Sequence, residues 1–458
     1  MRRNDPWLYI PIETKARDLY GKTLLASFVA INGFNVVLGS KKDINSRSLF
    51  FPKGIIFNVG LARNLSNNSK RFKKEGHKVV VMDEEGLVTL RDDIYLHQRV
   101  SKEGLENADL FFCWGERQAC IVEEKARKMN CKISITGNPR FDMLRKEYRV
   151  IFNKDVEEIK KKYGKFILVN TNFGRGNHFA GDNFLLDSLK EKGWMNNPDD
   201  KKYILANVDW QKKMFKEFQQ IISEIAEKFK EYNIIIRPHP SEKYEIWEKI
   251  AQTFPNVFVV HSSNAVPWIM ATDILIHNGC TTAVEAFVLG TEAVTYRPFI
   301  IKEQETEFPN KISWEAFNSK ELMEIIEKKI NNPIINVEDH NIKKRYLDNF
   351  ISGVEGKMAS EQISFYLKSI AQPNHKKMNI PLILLFDIYE RVILMLKRIV
   401  SGKNRGSVSL AYQLHKNPGL VKKDFQDFIE KISRIDKKFA NLKVKRIGLS
   451  CYQIYENK

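Results

Sequence analysis

The chain has 458 residues, 43% hydrophobic and 28% charged, which is enough for two or three domains and fits a largely globular protein. Its formal net charge is +18 and its pI about 9.4, but 18 Lys and Arg against seven Asp and Glu fall within Ala371–Lys458, so the excess is concentrated in the last fifth. Cys113, Cys120, Cys131, Cys280 and Cys451 contain no CxxC pair, and an odd count gives no disulfide framework; a reducing cytoplasm is expected. The opening MRRNDPWLYIPIE lacks the apolar core of a signal peptide, and no stretch of about 20 uncharged apolar residues suits a spanning helix.

In chain order, Trp7–Ile12 reads as a first strand, followed by Glu13-Thr14-Lys15, a helix over about 17–31, and a strand at Asn35–Leu38. That is one βαβ unit, and its first turn lacks GxGxxG, which argues against a classical dinucleotide site. Ile55–Asn58, Lys78–Met82, Leu110–Cys113 and Ile133–Thr136 read as further strands with helices between them. Asp83-Glu84-Glu85-Gly86 follows one of these strands. Such a run of acids is often no more than a solvated strand end, but a carboxylate beside a glycine turn can also serve as a general base. A charged helix over 147–162 is expected to link two halves.

The second half opens with Phe166–Asn170 and the loop Thr171-Asn172-Phe173-Gly174-Arg175-Gly176-Asn177. Residues 179–209 are polar and read as an irregular loop or lid, before an amphipathic helix over about 211–232. Then four β-branched runs, Ile234–Ile236, Val257–Val260, Ile274–Ile276 and Ala293–Tyr296, alternate with helical segments, the signature of a parallel sheet. Two polar loops fall beyond the carboxyl ends of these strands, where α/β sheets bind ligands: Arg237-Pro238-His239-Pro240 and His277-Asn278-Gly279-Cys280-Thr281-Thr282. Gly279 permits a tight turn, and Thr281 or Thr282 can cap the helix that follows. The amides at that helix start suit a phosphate, and Glu285, one turn in, can reach a ribose hydroxyl. Arg237 offers a planar fork for a phosphate, and His239 can donate or accept a proton. The competing view is a buried strand with a capped helix and no ligand.

After Tyr296 the pattern turns helical, clearest at 319–330 and 343–371. Ile380–Val400, IPLILLFDIYERVILMLKRIV, is apolar but interrupted by Asp387, Glu390 and Arg391, which a spanning helix would bear at several kcal/mol. It reads either as a helix packed on the protein or as one lying on a membrane. A second basic helical region is expected over 401–458.

No Asp-x-Asp, HExxH, cysteine cluster, Walker A motif or GxSxG occurs, so a metal-held diphosphate, a zinc site, a P-loop and a hydrolase elbow are not expected. The motifs PIETKARDL, DEEG, TGNPRFD, NTNFGRGN, RPHPSE and HNGCTTAVEA, in that order over roughly residues 7–370, resemble those of the surface carbohydrate (surface polysaccharide) biosynthesis proteins. Their combination is similar to bacterial glycosyltransferases of the GT-B fold that use CMP-activated sugars, the sialyltransferases and Kdo transferases. The resemblance implies an α/β, GT-B-like fold: a Rossmann-like acceptor domain over 1–150, a Rossmann-like nucleotide-sugar domain over 163–330 facing it across a cleft, closing helices over 331–372 and a basic helical extension over 376–458.

The resemblance also implies roles. An acid of the DEEG loop deprotonates the acceptor hydroxyl, Glu85 first, with Asp83 and Glu84 as alternatives. His239 contacts the CMP phosphate and helps it leave, while Gly279, Thr281 and Thr282 hold the phosphate and Glu285 the ribose. Arg237, Pro240, His277, Asn278, Cys280, Asn172, Gly174 and Arg175 complete the donor side, and Glu13, Lys15 and Arg17 the acceptor side. Cys-Thr-Thr stands where many relatives carry a serine pair. The expected partners are a nucleotide-sugar donor and a glycan or lipid-linked glycan acceptor, with no metal or cofactor. The basic tail suits an anionic membrane surface at the inner face of a cytoplasmic membrane. CDP-glycerol phosphotransferases share RxHP and a late serine-rich loop and are the first alternative; an NDP-sugar transferase or epimerase is the next. The charge alone suggests a non-catalytic nucleic-acid-binding protein, but no aromatic-basic reading surface accompanies it.

Overall fold

The computed structural model describes residues 5–261, 264–331, 337–400 and 419–457. The chain forms two Rossmann-like α/β units, as the alternation of elements predicts. Unit 1 comprises Met1–Gly86, Leu96–Ile151 and Phe350–Lys458; unit 2 comprises Leu87–Tyr95 and Phe152–Asn349.

Unit 1 is built on strands β1 (Trp7–Ile12), β2 (Asn35–Ser40), β3 (Ile55–Asn58), β4 (Lys78–Met82), β5 (Leu110–Cys113) and β6 (Lys132–Ile135), all parallel in the order β2-β1-β3-β4-β5-β6. β1, β3 and β5 are buried along their whole length, which is why they read as unbroken apolar runs. The order reverses between β1 and β3, the place where such sheets open a crevice at their carboxyl ends.

Unit 2 has a second parallel sheet of β7 (Phe166–Asn170), β8 (Asn233–Arg237), β9 (Val257–Val259), β10 (Ile274–His277), β11 (Ala293–Tyr296) and β12 (Trp314–Ala316), in the order β12-β11-β10-β7-β8-β9. Its reversal lies between β7 and β10. Ile167, Val169, Ile234, Ile236, Ile274 and Ile276 pack in one core with Phe215, Phe218 and Ile222 of helix Pro198–Lys228. That helix corrects the expected irregular loop over 179–209. Residues 182–191 are also helical, and the long helix begins at residue 198, not near 211. The physical reason lies in its first residues: Asn197 Oδ1 accepts the Asp200 amide at 2.8 Å, Pro198 sits in the first turn, and Asp199 and Asp200 lie at the positive helix end.

The tail is not a helical appendage. Its residues 401–418, and residues 332–336 of the expected closing helices, lie outside the described residues. β13 (Leu442–Arg446) and β14 (Cys451–Glu456) form an antiparallel pair, and β14 adds antiparallel to β2, extending the unit 1 sheet to eight strands. Cys451 lies opposite Gly39, where a Cβ would come within 2.7 Å of its sulfur, so a glycine is needed there for the strand to seat. Gln453 Nε2 donates to buried Asn35 Oδ1 at 2.9 Å. β13 is left as the edge, and its Lys443, Lys445 and Arg446 give it the charge that blunts an exposed strand. Helix Lys422–Ile435 buries Phe425, Phe428, Ile429 and Ile432 on the same unit, with Phe428 stacked on Tyr20 at 5.2 Å. Among the described residues no helix is long and apolar enough to cross a membrane.

Candidate functional site

In unit 2 the carboxyl ends of the three neighbouring strands β8, β7 and β10 carry the polar loops the sequence singles out. Asn170, the last residue of β7, lies in register with Arg237 on one side and His277 on the other. One buried carboxylate ties two of the loops together. Glu242 Oε1 accepts Thr171 Oγ1 at 2.7 Å, the Phe173 amide at 3.0 Å and the His239 amide at 3.0 Å, while Oε2 accepts Trp247 Nε1 at 3.0 Å. Burial raises its pKa, and these donors partly offset the rise. A Cβ on Gly174 would approach Ser241 Oγ to 2.3 Å, so the two loops touch through that glycine. The third loop joins through Asn278 Nδ2, which donates to the Asn172 carbonyl at 3.3 Å.

Gly279 has φ +83°, and a Cβ there would lie 2.3 Å from Thr306 Oγ1, which donates to the Gly279 carbonyl at 2.8 Å. The expected threonine cap is corrected. Cys280 occupies the cap position, and Thr281 and Thr282 are the first residues of helix Thr281–Leu289. The Ala283 amide donates to the Cys280 carbonyl at 3.1 Å, and the Thr282 and Ala283 amides face the Cys280 thiol. Thr282 Oγ1 pairs with Cys280 Sγ, and Glu285 is buried one turn along.

The buried amide of Asn170 is the most informative group. It is 5% exposed, and among the described residues neither its Oδ1 nor its Nδ2 has a hydrogen-bond partner; the same holds for Asn278 Oδ1. An unmatched buried amide costs about 1–3 kcal/mol, so a donor and an acceptor at the reversal point of this sheet point to a polar ligand. Beside it, Arg237 stacks over Trp268 at 5.2 Å, and burial lowers its guanidinium to about 10, against the opposing effect of Tyr244. A desolvated cation gains most from an anion. His239 is exposed, flanked by buried Pro238 and half-buried Pro240. Its Nδ1 accepts the Ser241 amide at 3.2 Å and lies 2.6 Å from Ser241 Oγ, from which we assign the proton of the neutral ring to Nε2.

Two expected donor-side residues are used differently. His277 is fully buried: its Nδ1 accepts the Gly279 amide at 3.0 Å, its Nε2 donates to Ser313 Oγ at 2.9 Å, and burial pushes its pKa to about 3. It is a neutral strut under the glycine turn rather than a ligand contact. Arg175 donates to Asn207 Oδ1 at 2.8 Å and lies over Trp194 at 5.9 Å, so helix Pro198–Lys228 and its approach hold it; no carboxylate pairs with it among the described residues. Asn170 and Glu242 were both missed in the sequence. A polar residue closing an apolar strand, and an acid three residues past the histidine, were the signals.

In unit 1 the three consecutive acids separate clearly. Asp83 is buried and paired by two nitrogens of Arg99, and its carbonyl accepts Trp114 Nε1 at 2.7 Å. Glu84 is buried against Lys22 at 3.1 Å, with Asn138 Nδ2 at 3.4 Å. The Glu85 side chain is 56% exposed, with Arg99 Nη1 at 3.0 Å and Arg17 Nη1 at 3.7 Å. Lys22 also donates to the Pro11 carbonyl at 2.8 Å and lies 3.7 Å from Asp18. Burial would raise the Asp18 pKa, but Arg17 and Lys22 more than offset it and hold the carboxyl well below the usual range. Glu13 pairs with Lys41 at 2.9 Å and with Arg17 at 3.5 Å. Lys15, expected on the acceptor side, is a strut to the tail: its Nζ lies 2.7 Å from Asp424 and donates to the Gly419 carbonyl at 3.0 Å.

No family model and no curated protein matches the chain. Among solved structures it is similar to the UDP-GlcNAc 2-epimerase from Neisseria meningitidis bound to UDP-GlcNAc, at 13% identity over 79% of this chain and 100% of that one, with a TM-score of 0.48. It is also similar to the UDP-GlcNAc 2-epimerase from Methanocaldococcus jannaschii in complex with UDP-GlcNAc and UDP (12%, 79% and 99%, TM-score 0.47) and to HepE from Anabaena in complex with UDP and glucose (10%, 80% and 100%, TM-score 0.44). Values this low assign neither a family nor a reaction, and the α/β architecture rests on the two sheets themselves.

Proposed function

We propose that this protein is a GT-B-type glycosyltransferase of surface polysaccharide biosynthesis. It transfers a sugar, an ulosonic acid such as Kdo or a sialic-acid-like sugar, from a CMP-activated donor to a glycan or lipid-linked glycan, without a metal, at the inner face of a cytoplasmic membrane. The observation that carries the reading is the unmatched buried amide of Asn170 at the reversal point of the unit 2 sheet, beside Arg237 and His239. A nucleotide supplies both donors and acceptors for such an amide. A single phosphate and a sugar carboxylate are anions of the kind that Arg237, His239 Nε2–H and the positive end of helix Thr281–Leu289 attract.

In this reaction the acceptor oxygen forms the new bond to the anomeric carbon. The bond from that carbon to the phosphate oxygen breaks, and its electron pair leaves with CMP. The acceptor proton passes to Glu85, the one acid of its loop with an exposed side chain. Hydrogen bonds to the departing phosphate stabilise the charge that develops on it.

Titration with CMP and with UDP, followed by calorimetry, tests the donor class. CMP is expected to bind and UDP to bind more weakly. Binding of UDP with none of CMP would replace this reading with a UDP-sugar transferase or epimerase. Release of glycerol phosphate from CDP-glycerol to an acceptor would replace it with a phosphotransferase. Glu85→Ala is expected to lower turnover by about 10²–10⁴ with CMP affinity unchanged, whereas His239→Ala weakens CMP binding as well.

A further inference from the structure

We infer that helix Ile380–Val400 is the membrane-contacting surface of this protein, built inside out so that its acids face the protein and its apolar side chains face an anionic bilayer. It rests on the membrane location proposed above and not on the donor chemistry.

Asn379 Oδ1 accepts the Leu382 amide at 3.2 Å, and Pro381 stands in the first turn, so the helix has a defined start. Its 21 residues span roughly 30 Å. The contacts with unit 1 come from one face. Ile383 is fully buried, Phe386 packs on Phe50 at 4.9 Å, and Asp387 is 1% exposed. The buried Arg47 guanidinium pairs with Asp387 and lies 3.1 Å from Glu390 Oε2, and the Leu449 amide donates to Asp387 Oδ2 at 2.8 Å. Asp387 and Glu390, the acids that interrupt the apolar run in the sequence, are therefore the anchor to the protein.

The opposite face is apolar. Leu382, Leu385, Ile388, Tyr389, Val392 and Leu396 recur at helical spacing, and each is exposed, Leu385 by 63%. An aliphatic stripe with a tyrosine on a helix flanked by cations is the composition of a helix that lies in a bilayer interface. Lys376, Lys377 and Arg391 are exposed beside it. Charge selects the occupant. A chain of +18, with its excess in this last fifth, repels a second copy of itself and attracts anionic headgroups. The neighbouring helix Lys422–Ile435 shows the ordinary arrangement, apolar face inward and charges outward, so the inversion belongs to this helix and not to the tail in general.

Sedimentation of the full-length protein with vesicles of phosphatidylglycerol and phosphatidylcholine at low salt tests the inference. Binding is expected, with loss on pure phosphatidylcholine vesicles. The triple variant Leu385→Gln, Ile388→Gln, Val392→Gln is expected to lose about tenfold or more in partitioning while keeping its melting temperature and its CMP affinity. Leu385→Gln alone shows the same direction should the triple variant melt early. No binding by the wild-type protein, undiminished binding by the variants, or a wild-type dimer that these substitutions dissociate would each overturn the proposal. Loss of CMP binding with vesicle binding retained would sink the donor reading and leave this one standing.

Discussion

The two polar clusters of this molecule are opposites in how their charges are matched. In unit 1, past β4, the buried carboxylates Asp83, Glu84 and Asp18 each have a cation at hand, Arg99, Lys22 or Arg17. In unit 2, past β7 and β10, the amide of Asn170 and Asn278 Oδ1 are buried with no partner among the described residues. A cluster whose charges cancel internally contributes a fixed shape and leaves only its exposed member, Glu85, for chemistry. A cluster with unmatched donors and acceptors keeps its hydrogen bonds for something else. The first kind punishes any single deletion, while the second tolerates deletion structurally and loses ligand.

The largest effect is therefore expected in unit 1. Lys22→Met leaves Glu84 without its nearest cation and weakens the hold on Asp18. Breaking a buried ionic group from one side costs about 3–5 kcal/mol, measurable by urea unfolding. Lys22→Met combined with Glu84→Gln is expected to recover part of that loss. A cost below about 1 kcal/mol for Lys22→Met would mean that the network is not the matched cluster its geometry indicates.

A carboxylate of the same unit, held mainly by hydrogen bonds with no salt bridge among the described residues, sharpens the contrast through pH. Asp142 caps helix Ala359–Ile370, accepting the Ala359 amide at 2.9 Å and the Ser360 amide and hydroxyl at 2.8 and 2.6 Å. Burial raises its pKa to about 6, even against these bonds. Below pH about 4 the group is protonated folded or unfolded. Between about 4 and 6 the unfolded chain gives up the proton and the folded chain keeps it, so stability falls as pH rises through this window and then levels. The drop is roughly 3 kcal/mol at most. Unfolding free energies of the wild-type protein minus those of Asp142→Asn are expected to decline from pH 4 to 7; a rising difference contradicts the raised pKa.

How much of this was legible in the sequence follows from the physics of each element. Strands such as β8 and β10 announce themselves because burial on both faces demands unbroken β-branched runs, and the loops beyond them were placed where chain direction puts strand ends. The start of helix Pro198–Lys228 was hidden in a polar stretch whose signal was local capping and not periodicity. β13 and β14 are short and sit in a basic stretch that reads as helical, while the pairing of β14 with β2 is a contact more than 400 residues away in sequence. The candidate site was located by loop, but not by role. That His277 points inward while Asn170 is left unmatched depends on which way each side chain turns from its strand. Likewise, nothing local says that Asp387 and Glu390 anchor a helix to Arg47.

The next effect is smaller and belongs to the seam between the unit 2 loops. Glu242→Gln keeps the shape, but replaces one carboxylate oxygen with an amide that cannot accept. Either Trp247 Nε1 or the donors at Oε1 then face a second donor. A cost of about 1–3 kcal/mol is expected. CMP binding should weaken alongside it, because the 171–173 and 239 backbones lose their common acceptor. Full CMP affinity in a destabilised Glu242→Gln would show that these loops do not serve the ligand.

The smallest expected stability change carries the most information about function. Asn170→Leu keeps nearly the same volume at a position 5% exposed, between β8 and β10. Both amide atoms are desolvated without a partner among the described residues, so the substitution removes a cost and no hydrogen bond seen there. Unfolding free energy is expected to stay the same or to rise by roughly 1 kcal/mol. CMP affinity, in contrast, is expected to fall by about tenfold or more, because the ligand loses groups that water does not replace. A loss of stability above about 2 kcal/mol with unchanged CMP affinity would mean that Asn170 belongs to the scaffold. The contrast between matched and unmatched clusters would then lose its functional meaning, and the donor site would have to be sought at another strand end.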